Sequence, residues 1–408
     1  MSLDMAAVRA LDANDPLRAF RDRFDLPDGV IYMDGNSLGP LPRATRAALA
    51  RAVNDEWGRG LIRSWNDADW IGAPRRIGDK IAGLVGAAAG EVVVADSTSV
   101  NLFKLAVAAV RARPGRRVIL TEPGNFPTDL YIAQGLAAVL PDVEVRTLPA
   151  AELAANLGPE VALLQLSHVH YKSAYRHDMA ALTAAAQAAG ALTLWDLSHS
   201  AGAIEVDLKG CNADLAVGCG YKFLNGGPGA PAFLFVAARH QGEMVSPLSG
   251  WMGHAAPFDF ADDYRPAPGI ERFLCGTPSV LGLTALEAGV DIAHEVDSAA
   301  LAAKAKRLIG LFITEVEALC PALTLASPRH GPRGSHVAFA HPEGYRIMQA
   351  LIARGLIGDF REPDILRFGI TPLYLGYQDV WRAARVIRDV LDAEAWRDEA
   401  PRDPGRVT

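Results

Sequence analysis

Lysine and cysteine are scarce in this sequence, with seven lysines and four cysteines among 408 residues. Acidic residues outnumber basic ones, so the formal charge of −7 leaves no basic surplus to neutralise the backbone of a nucleic acid. The cysteines (Cys211, Cys219, Cys275 and Cys320) are widely separated and form no CxxC pair, so no disulfide framework is indicated. The acidic surplus argues against nucleic acid as the main partner. The lack of a disulfide framework fits a reducing compartment.

Long apolar runs are also missing. No uninterrupted apolar stretch approaches the roughly 18–20 residues that a membrane-spanning helix needs. The start of the chain, MSLDMAAVRALDANDPLRAF, lacks the basic segment and apolar run of a secretory signal. We therefore expect a cytoplasmic protein without membrane contacts. Half of its residues are apolar and 21% are charged, as in ordinary globular proteins, and its length suits two or three domains.

Short apolar stretches of strand length alternate with stretches of helical spacing. The predicted strands span 91–97, 116–122, 161–169, 192–199, 213–220 and 230–237. The predicted helices span 43–57, 75–86, 99–113, 127–140 and 179–190. Continuous apolar strands that alternate with helices predict an α/β fold, with a mostly parallel sheet covered by helices on both faces. Beyond about residue 280 the pattern changes to long helices and a few strands, which predicts a smaller α+β domain.

Polar residues follow the predicted strands, and ligands of parallel α/β sheets bind beyond the carboxyl ends of the strands. Ser97, Thr98 and Ser99 come after the first strand and open a helix, where they either bind an anion or simply cap the helix. Phe126 and Asp129 follow the next strand. They are either a loop aromatic and a helix-capping acid or contacts of the same ligand.

Asp196 ends a later strand, and Ser198, His199 and Ser200 follow it. A buried carboxylate there needs a cationic or N–H partner, and the alternative is an acid that caps a turn. A Ser–His–Asp hydrolase triad is disfavoured because no GxSxG turn precedes a helix.

Lys222 ends another apolar strand, directly after Tyr221 and before the glycine-rich turn FLNGGPG. A lone lysine is ordinarily a solvated surface charge, but these neighbours favour a held ammonium group. Lys172, which also follows an apolar strand, is its nearest rival. Three histidines surround Lys172 without the recurrent spacing of a metal-ligand set, so we expect no metal site.

Together these residues fit one ligand, a flat cationic heterocycle that carries a phosphate. The helix N-terminus suits the phosphate, Phe126 suits stacking on the ring, and Asp196 suits the pyridinium nitrogen. Lys222 suits a Schiff base with the aldehyde. We therefore expect pyridoxal 5′-phosphate as the cofactor.

Nine motifs spread over nearly the whole chain resemble the kynureninase family, and its bacterial form in particular. They are MDGNSLGP, GLIRSWN, STSVNLFK, NFPTDLY, WDLSHSAGA, GYKFLNGGPG, LSGWMGH, FLCGTP and GDFREPDILRFGITPLY. The resemblance implies the fold-type-I fold of pyridoxal-phosphate enzymes. It also implies hydrolytic cleavage of L-kynurenine to anthranilate and L-alanine, for tryptophan breakdown or to supply anthranilate.

The resemblance further implies roles for the matching residues. The implied cofactor contacts are Thr98, Ser99, Phe126, Asp129, Ser167, Asp196, His199, Tyr221, Lys222, Trp251 and Thr277. The implied substrate contacts are Ser37, Trp65, Gly276 and Arg367. Lys222 would form the Schiff base and move the α-proton, Asp196 would keep the pyridine nitrogen protonated, and Tyr221 would relay protons.

Four of these positions carry further expectations. Trp251 and Thr277 would come from the second subunit of a homodimer with shared sites. Trp65 and Thr277 stand where the animal enzymes have histidine and asparagine, so we expect L-kynurenine to be preferred over 3-hydroxykynurenine. Two roles have alternatives, since Trp65 could be a core residue and Arg367 could pair with an acid of its own FREPDILRF segment, Asp364 or Glu362.

We expect an N-terminal segment (1–45) that packs on the small domain, a large cofactor-binding domain (46–285), a small C-terminal domain (286–400) and a frayed tail (401–408). Two rival interpretations are considered. One is another fold-type-I enzyme, such as a class V aminotransferase or a cysteine desulfurase, for which Cys275 would be the nucleophile. The other is a binding or regulatory module without activity, which the presence of Lys222, Asp196 and Arg367 disfavours.

Overall fold

The computed structural model describes residues 3–400, so the predicted tail 401–408 lies outside the described residues. The chain divides into two compact units. The larger unit comprises Thr45–Tyr171 and His177–His294. The smaller unit comprises the described residues up to Ala44, the short stretch Lys172–Arg176, and the described residues from Glu295 onward.

Twelve α-helices occur within residues 3–400. They are α1 (Met5–Ala13), α2 (Arg43–Arg51), α3 (Ser64–Asp67), α4 (Ala73–Leu84), α5 (Thr98–Arg111), α6 (Pro127–Val139), α7 (Met179–Ala188), α8 (Ala238–Gln241), α9 (Val280–His294), α10 (Ser298–Leu319), α11 (Gly344–Ile352) and α12 (Tyr377–Asp392). The helix predicted over 43–57 begins as α2 and continues as a π-helix, Ala52–Gly60. In the part of the chain that the structure describes, no helix has the length and apolar character to cross a membrane.

Fifteen strands occur in the same described part of the chain. They are β1 (Phe24–Asp25), β2 (Ile31–Tyr32), β3 (Leu41–Pro42), β4 (Val92–Val94), β5 (Val118–Thr121), β6 (Glu144–Thr147), β7 (Val161–Ser167), β8 (Leu192–Asp196), β9 (Leu215–Gly218), β10 (Phe233–Val236), β11 (Thr324–Leu325), β12 (His336–Ala340), β13 (Leu356–Ile357), β14 (Asp359–Arg361) and β15 (Ile365–Gly369).

The larger unit is built on a seven-stranded sheet with the order β4-β10-β9-β8-β7-β5-β6. Its strand pairs are parallel except for the two that involve β10, which confirms the predicted mostly parallel sheet. Val92 and Val94 pack in one apolar core while Val93 packs in another, because successive side chains of a strand point to opposite faces. Both faces are therefore covered, as the continuous apolar strands predicted.

Sequence analysis missed the edge strand β6. Its four residues are half-buried or exposed, so it lacks the apolar run that identified the other strands. It pairs in parallel with β5 through four successive residues. Edge strands need to cover less apolar surface, which is why their sequence signal is weak.

The smaller unit contains an antiparallel sheet with the order β11-β12-β15-β14. The few strands that the sequence predicts beyond residue 280 include HVAFA and ILRFGI, which correspond to β12 and β15, and the long helices predicted there include α10 and α12. The predicted domain boundary at residue 285 falls inside α9, which belongs to the larger unit. Strand β2 of the N-terminal region pairs in parallel with β13 of this same unit.

Candidate active site

The ends of neighbouring strands in the larger unit bring the predicted cofactor residues together. Ser167, the last residue of β7, is the register partner of Asp196, the last residue of β8. Asp196 in turn faces Val217 of β9, and the chain turns after β9 to reach Lys222. The parallel register therefore collects polar side chains from distant points of the sequence at one edge of the sheet.

Lys222 is buried, with 7% of its surface exposed, so it is not the solvated charge that a lone lysine usually is. Its Nζ lies 3.4 Å from Nε2 of His199 and 5.5 Å from the centre of the Phe126 ring. The ring of Tyr221 lies 5.9 Å from the same Nζ. Lys222 is thus held among a histidine and two aromatic rings, whose faces stabilise a cation. The rival Lys172 is half-buried and belongs to the smaller unit.

A tight turn fixes the backbone after Lys222. The N–H of Asn225 donates to the carbonyl of Lys222 at 3.0 Å, and the N–H of Gly226 donates to the carbonyl of Gly220 at 2.9 Å. Gly227 has a φ of 85°, in the left-handed region that glycine adopts without steric cost. Helix α9 packs directly on this turn, because a Cβ added at Gly289 would lie 2.1 Å from the carbonyl oxygen of Leu224. The glycine-rich sequence therefore permits both the turn and its close packing.

Two buried carboxyls accompany the lysine. Asp196 Oδ1 accepts a hydrogen bond from the N–H of Ser198 at 2.8 Å, and Asp129 Oδ2 accepts one from the hydroxyl of Ser167 at 3.2 Å. Burial raises the pKa of Asp196, against the opposing effects of Ser198 and the Lys222 charge. Burial and the nearby Asp196 raise the pKa of Asp129 well above its ordinary value. The charge of Lys222 therefore offsets the effect of burial on the two acids only in part.

These acids fit a cofactor that carries a ring cation. Asp129 Oδ1 is buried and has no hydrogen-bond partner among residues 3–400, which leaves an acceptor for a bound group. A pyridinium N–H beside Asp196 would supply the missing positive charge. Phe126, whose ring packs edge-on against Tyr171 at 5.2 Å, is held near the lysine as a ring contact requires. The residues present thus fit pyridoxal phosphate.

Of the hydroxyl residues before α5, Ser97 caps the helix, since its Oγ accepts from the N–H of Val100 at 3.3 Å. Thr98 and Ser99, the first two residues of α5, are half-buried and do not form this cap. The backbone N–H groups of a first helical turn attract anions. Tyr221 is also half-buried. Burial raises the pKa of its phenol, and the neighbouring Cys219 raises that pKa further. The phenol is therefore neutral near pH 7 and can donate a hydrogen bond.

The remaining predicted residues of the larger unit lie near its surface. Trp251 is 37% exposed, and its ring lies 5.8 Å from that of Phe258. Gly276 and Thr277 are exposed and line a cavity of about 280 Å³. Trp65 is half-buried, with its ring 6.0 Å from that of Trp70, so it is not a fully buried core residue.

Arg367 belongs to the smaller unit, where it forms an ion pair with Asp359, an acid that the sequence had not suggested as a partner. Its Nε donates to Asp359 Oδ1 at 2.7 Å, and its Nη2 donates to Asp359 Oδ2 and, at 3.1 Å, to Ser37 Oγ. Arg361 forms a second ion pair with Asp359 Oδ2 at 2.8 Å. Ser37 thus lies beside the arginine, and its hydroxyl donates to Asp359 at 2.5 Å.

A second acid, Asp34, is half-buried in the same cluster. Burial and the Asp359 charge raise the pKa of Asp34 to about 8, although the Arg367 charge lowers it in part. The pKa of Asp359 falls to about 2 because Arg367 and Arg361 outweigh the effect of burial. Near neutral pH, two guanidinium groups therefore face one carboxylate and one carboxylic acid. The cluster keeps a positive charge that can attract the carboxylate of a substrate.

Sequence analysis missed Asp34, Asp359 and Arg361. Asp359 and Arg361 alternate on β14 and therefore share one face of the strand, which is a usable signal once the strand is recognised. Asp34 lies inside MDGNSLGP, a motif that drew attention through Ser37 instead. No three His, Cys, Asp or Glu side chains of the described residues come together as a metal site would require.

The chain is similar to known proteins in sequence and in fold. The family model "Kynureninase C-terminal domain" matches residues 301–387. The chain is 53% identical to the kynureninase of Burkholderia pseudomallei (strain 1106a) over 95% of each chain. It is 54% identical to the kynureninase of Deinococcus radiodurans, over 96% of this chain and 97% of the relative.

Among solved structures, the apo cysteine desulfurase of Thermococcus onnurineus NA1 matches with a TM-score of 0.80. The alignment covers 96% of this chain and 100% of the desulfurase, at 20% sequence identity. At that identity the likeness establishes a shared fold and leaves the reaction to be decided by sequence and site. The fold is that of fold-type-I pyridoxal-phosphate enzymes, as the sequence predicted.

Proposed function

Since the chain belongs to the kynureninase family, we propose the following roles for its own residues in the reaction of that family. The enzyme hydrolyses the Cβ–Cγ bond of L-kynurenine to give anthranilate and L-alanine, with pyridoxal phosphate as its cofactor. The observation that carries the proposed roles is the buried Lys222, held against Phe126 and His199 at the edge of the sheet.

Bound pyridoxal phosphate supplies an electron sink for negative charge that develops on the substrate carbons. Lys222 holds the cofactor covalently and moves the proton at the substrate Cα, for which its burial beside His199 is suited. Asp196 keeps the ring nitrogen protonated, and Ser198 fixes the orientation of its carboxylate. Phe126 packs on the ring, while Asp129, Ser167 and His199 contact the cofactor edge.

Tyr221 is the proposed proton relay. Its raised pKa supports the neutral phenol as a hydrogen-bond donor. Thr98, Ser99 and Tyr221 bind the phosphate, which is supported by the position of Thr98 and Ser99 at the start of α5 and by the half-buried state of all three residues. Arg367 binds the substrate carboxylate, and Ser37, Trp65 and Gly276 line the pocket for the aromatic ring.

The substrate preference is tested by following the fluorescence of anthranilate released from L-kynurenine, beside a product assay for 3-hydroxy-L-kynurenine. We expect strong release from kynurenine and weak turnover of the hydroxylated compound. Equal turnover of both would contradict the role of Trp65 and Thr277 in specificity. Release of sulfide from L-cysteine, without release of anthranilate from L-kynurenine, would favour the desulfurase alternative. The only support for that alternative is the likeness in fold.

We also propose a homodimer in which Trp251 and Thr277 serve the site of the other subunit. Exposed apolar side chains on the larger unit, including Trp57, Ile62 and Phe260, support a covered surface there. Mixing Lys222→Ala with Trp251→Ala subunits tests the arrangement. If sites are shared, the hybrid dimer contains one intact site and regains activity, whereas independent sites would stay inactive.

We place the enzyme in the cytoplasm. All four cysteines lie in the described part of the chain and are free thiols, which supports a reducing compartment.

A further inference from the structure

Lys104 is a buried lysine that the proposed reaction does not use. It lies in α5 with no measurable exposure, and its Nζ forms an ion pair with the carboxylate of Asp96. The same Nζ donates to the carbonyl oxygen of Phe273 at 2.6 Å. Burying an ammonium group is costly unless it is paired and hydrogen-bonded. The ion pair with Asp96 and the hydrogen bond to Phe273 offset this cost for Lys104.

The contacts of Lys104 join the segment that the proposed function assigns to the phosphate with a segment that leads to two further proposed site residues, Gly276 and Thr277. Asp96 precedes Ser97, Thr98 and Ser99, and its φ of 50° is in the left-handed region that few residues other than glycine occupy. A backbone in that region persists where the surroundings hold it. Phe273 ends a short 3₁₀ segment and is followed by Gly276 and Thr277.

Lys104 also neutralises Asp96. The Asp96 side chain remains 30% exposed and lines the same cavity as Gly276 and Thr277. It lies two residues before Thr98, where the phosphate is proposed to bind. A carboxylate without its cation would repel a phosphate bound beside this segment, because like charges disfavour each other.

We propose that Lys104 is a positioning residue for the cofactor phosphate, which it serves by fixing segment 96–99 against segment 273–277 and by cancelling the charge of Asp96. The proposal rests on the proposed function, in which Thr98 and Ser99 bind the phosphate and Thr277 serves the site of the other subunit. In the proposed homodimer, Thr277 serves the neighbouring subunit, so Lys104 links the phosphate segment of one site to the segment that completes the other.

The experiment compares two ligands that differ by the phosphate. Pyridoxal phosphate and pyridoxal are titrated separately into the full-length apoenzyme, and binding is followed by absorbance. In Lys104→Met we expect the dissociation constant of pyridoxal phosphate to rise about tenfold or more, with that of pyridoxal changed by less than about threefold. The exposed Lys209→Met, which removes the same charge, is the matched control and should bind both ligands as the unaltered enzyme does.

The double variant Lys104→Met/Asp96→Asn separates positioning from general support of the fold. Removing the carboxylate removes the repulsion and the unpaired charge, so the part of the lost affinity for pyridoxal phosphate that comes from the Asp96 charge should return. Equal loss of both ligands in Lys104→Met, without recovery in the double variant, would overturn the proposal. If the unaltered enzyme itself neither bound pyridoxal phosphate nor released anthranilate, the proposed function would fail instead.

Discussion

Asp359 and Arg367 lie directly opposite each other on the antiparallel strands β14 and β15, and both side chains are almost fully buried. Their cross-strand register, together with Ser37 and Arg361, forms one hydrogen-bonded cluster. A guanidinium gripped through Nε and Nη2 has a fixed orientation, which suits recognition of a planar carboxylate. The first two predictions concern this cluster.

Replacing Asp359 with Asn should raise the KM for L-kynurenine at least about tenfold, with a smaller effect on kcat, because Arg367 loses its orienting partner. The loss of a buried partner should also cost about 3–5 kcal/mol of stability. Steady-state kinetics and thermal unfolding measure the two effects. Asp364→Asn in the adjacent turn is the control. An equal rise in KM for that control would revive Asp364 as a partner of Arg367.

The raised pKa of Asp34 predicts a pH dependence of substrate binding. Below about pH 8 Asp34 is neutral, and above it the group becomes negative next to the arginines. The KM for L-kynurenine should therefore rise as pH passes through 8. The charged and titratable groups around Asp34 are Asp359, Arg367, Tyr32 and Tyr374.

The variant Asp34→Asn tests this origin, since an amide does not ionise. Its KM should show a weaker rise above pH 8 than that of the unaltered enzyme, measured under the same conditions. The substrate's own amino group titrates equally in both proteins, so the difference between the two profiles isolates Asp34. Identical profiles would rule out Asp34 as the group responsible.

Replacing Lys222 with Ala should abolish multiple turnover of L-kynurenine, because no other lysine is proposed to hold the cofactor and move the α-proton. The absorbance band of the cofactor bound to the protein should be lost as well. Lys172→Ala is an informative control, since Lys172 was the rival in the sequence. Sustained turnover by the Lys222 variant would contradict the assignment of Lys222 as the residue that holds the cofactor.

Gly289 in α9 should not tolerate a side chain. A Cβ there would meet the carbonyl oxygen of Leu224 at 2.1 Å, so Gly289→Ala should lower both stability and cofactor affinity by displacing the turn after Lys222. Gly135 in α6 is the matched control, because no atom lies within 4 Å of a Cβ built there. Gly135→Ala should raise stability by about 0.5–1 kcal/mol in thermal unfolding. A loss of stability in both variants would point to helix effects instead of packing.

Much of the fold could be predicted from the sequence because its signals are local. Continuous apolar runs marked β7 and β8, and proline at the start of α6 marked a helix N-terminus. The exposed strand β6 and the short strand β14 lacked such runs and were missed. Strands of this kind are stabilised by pairing with neighbours, which a local pattern does not record.

The candidate site, like the fold, could be predicted from the sequence only in part. The order of acid, tyrosine and lysine after successive apolar strands was readable in the chain, and so was the cofactor that they suit. The ion pair between Arg367 and Asp359 could not be read from the chain, because it depends on the register of β14 and β15, which places the two residues opposite each other. Lys104 likewise contacts Phe273, 169 residues further along the chain.

By itself the sequence determined the residue types, their order at the strand ends and the family to which they belong, because these depend on composition and short-range pattern. The tertiary structure decided which charges are buried and paired: Lys222 among rings, Asp34 with a raised pKa, and Lys104 between two segments. Burial and Coulomb interactions depend on distances in space. Strand register and helix packing set those distances through contacts between residues that are far apart in the chain.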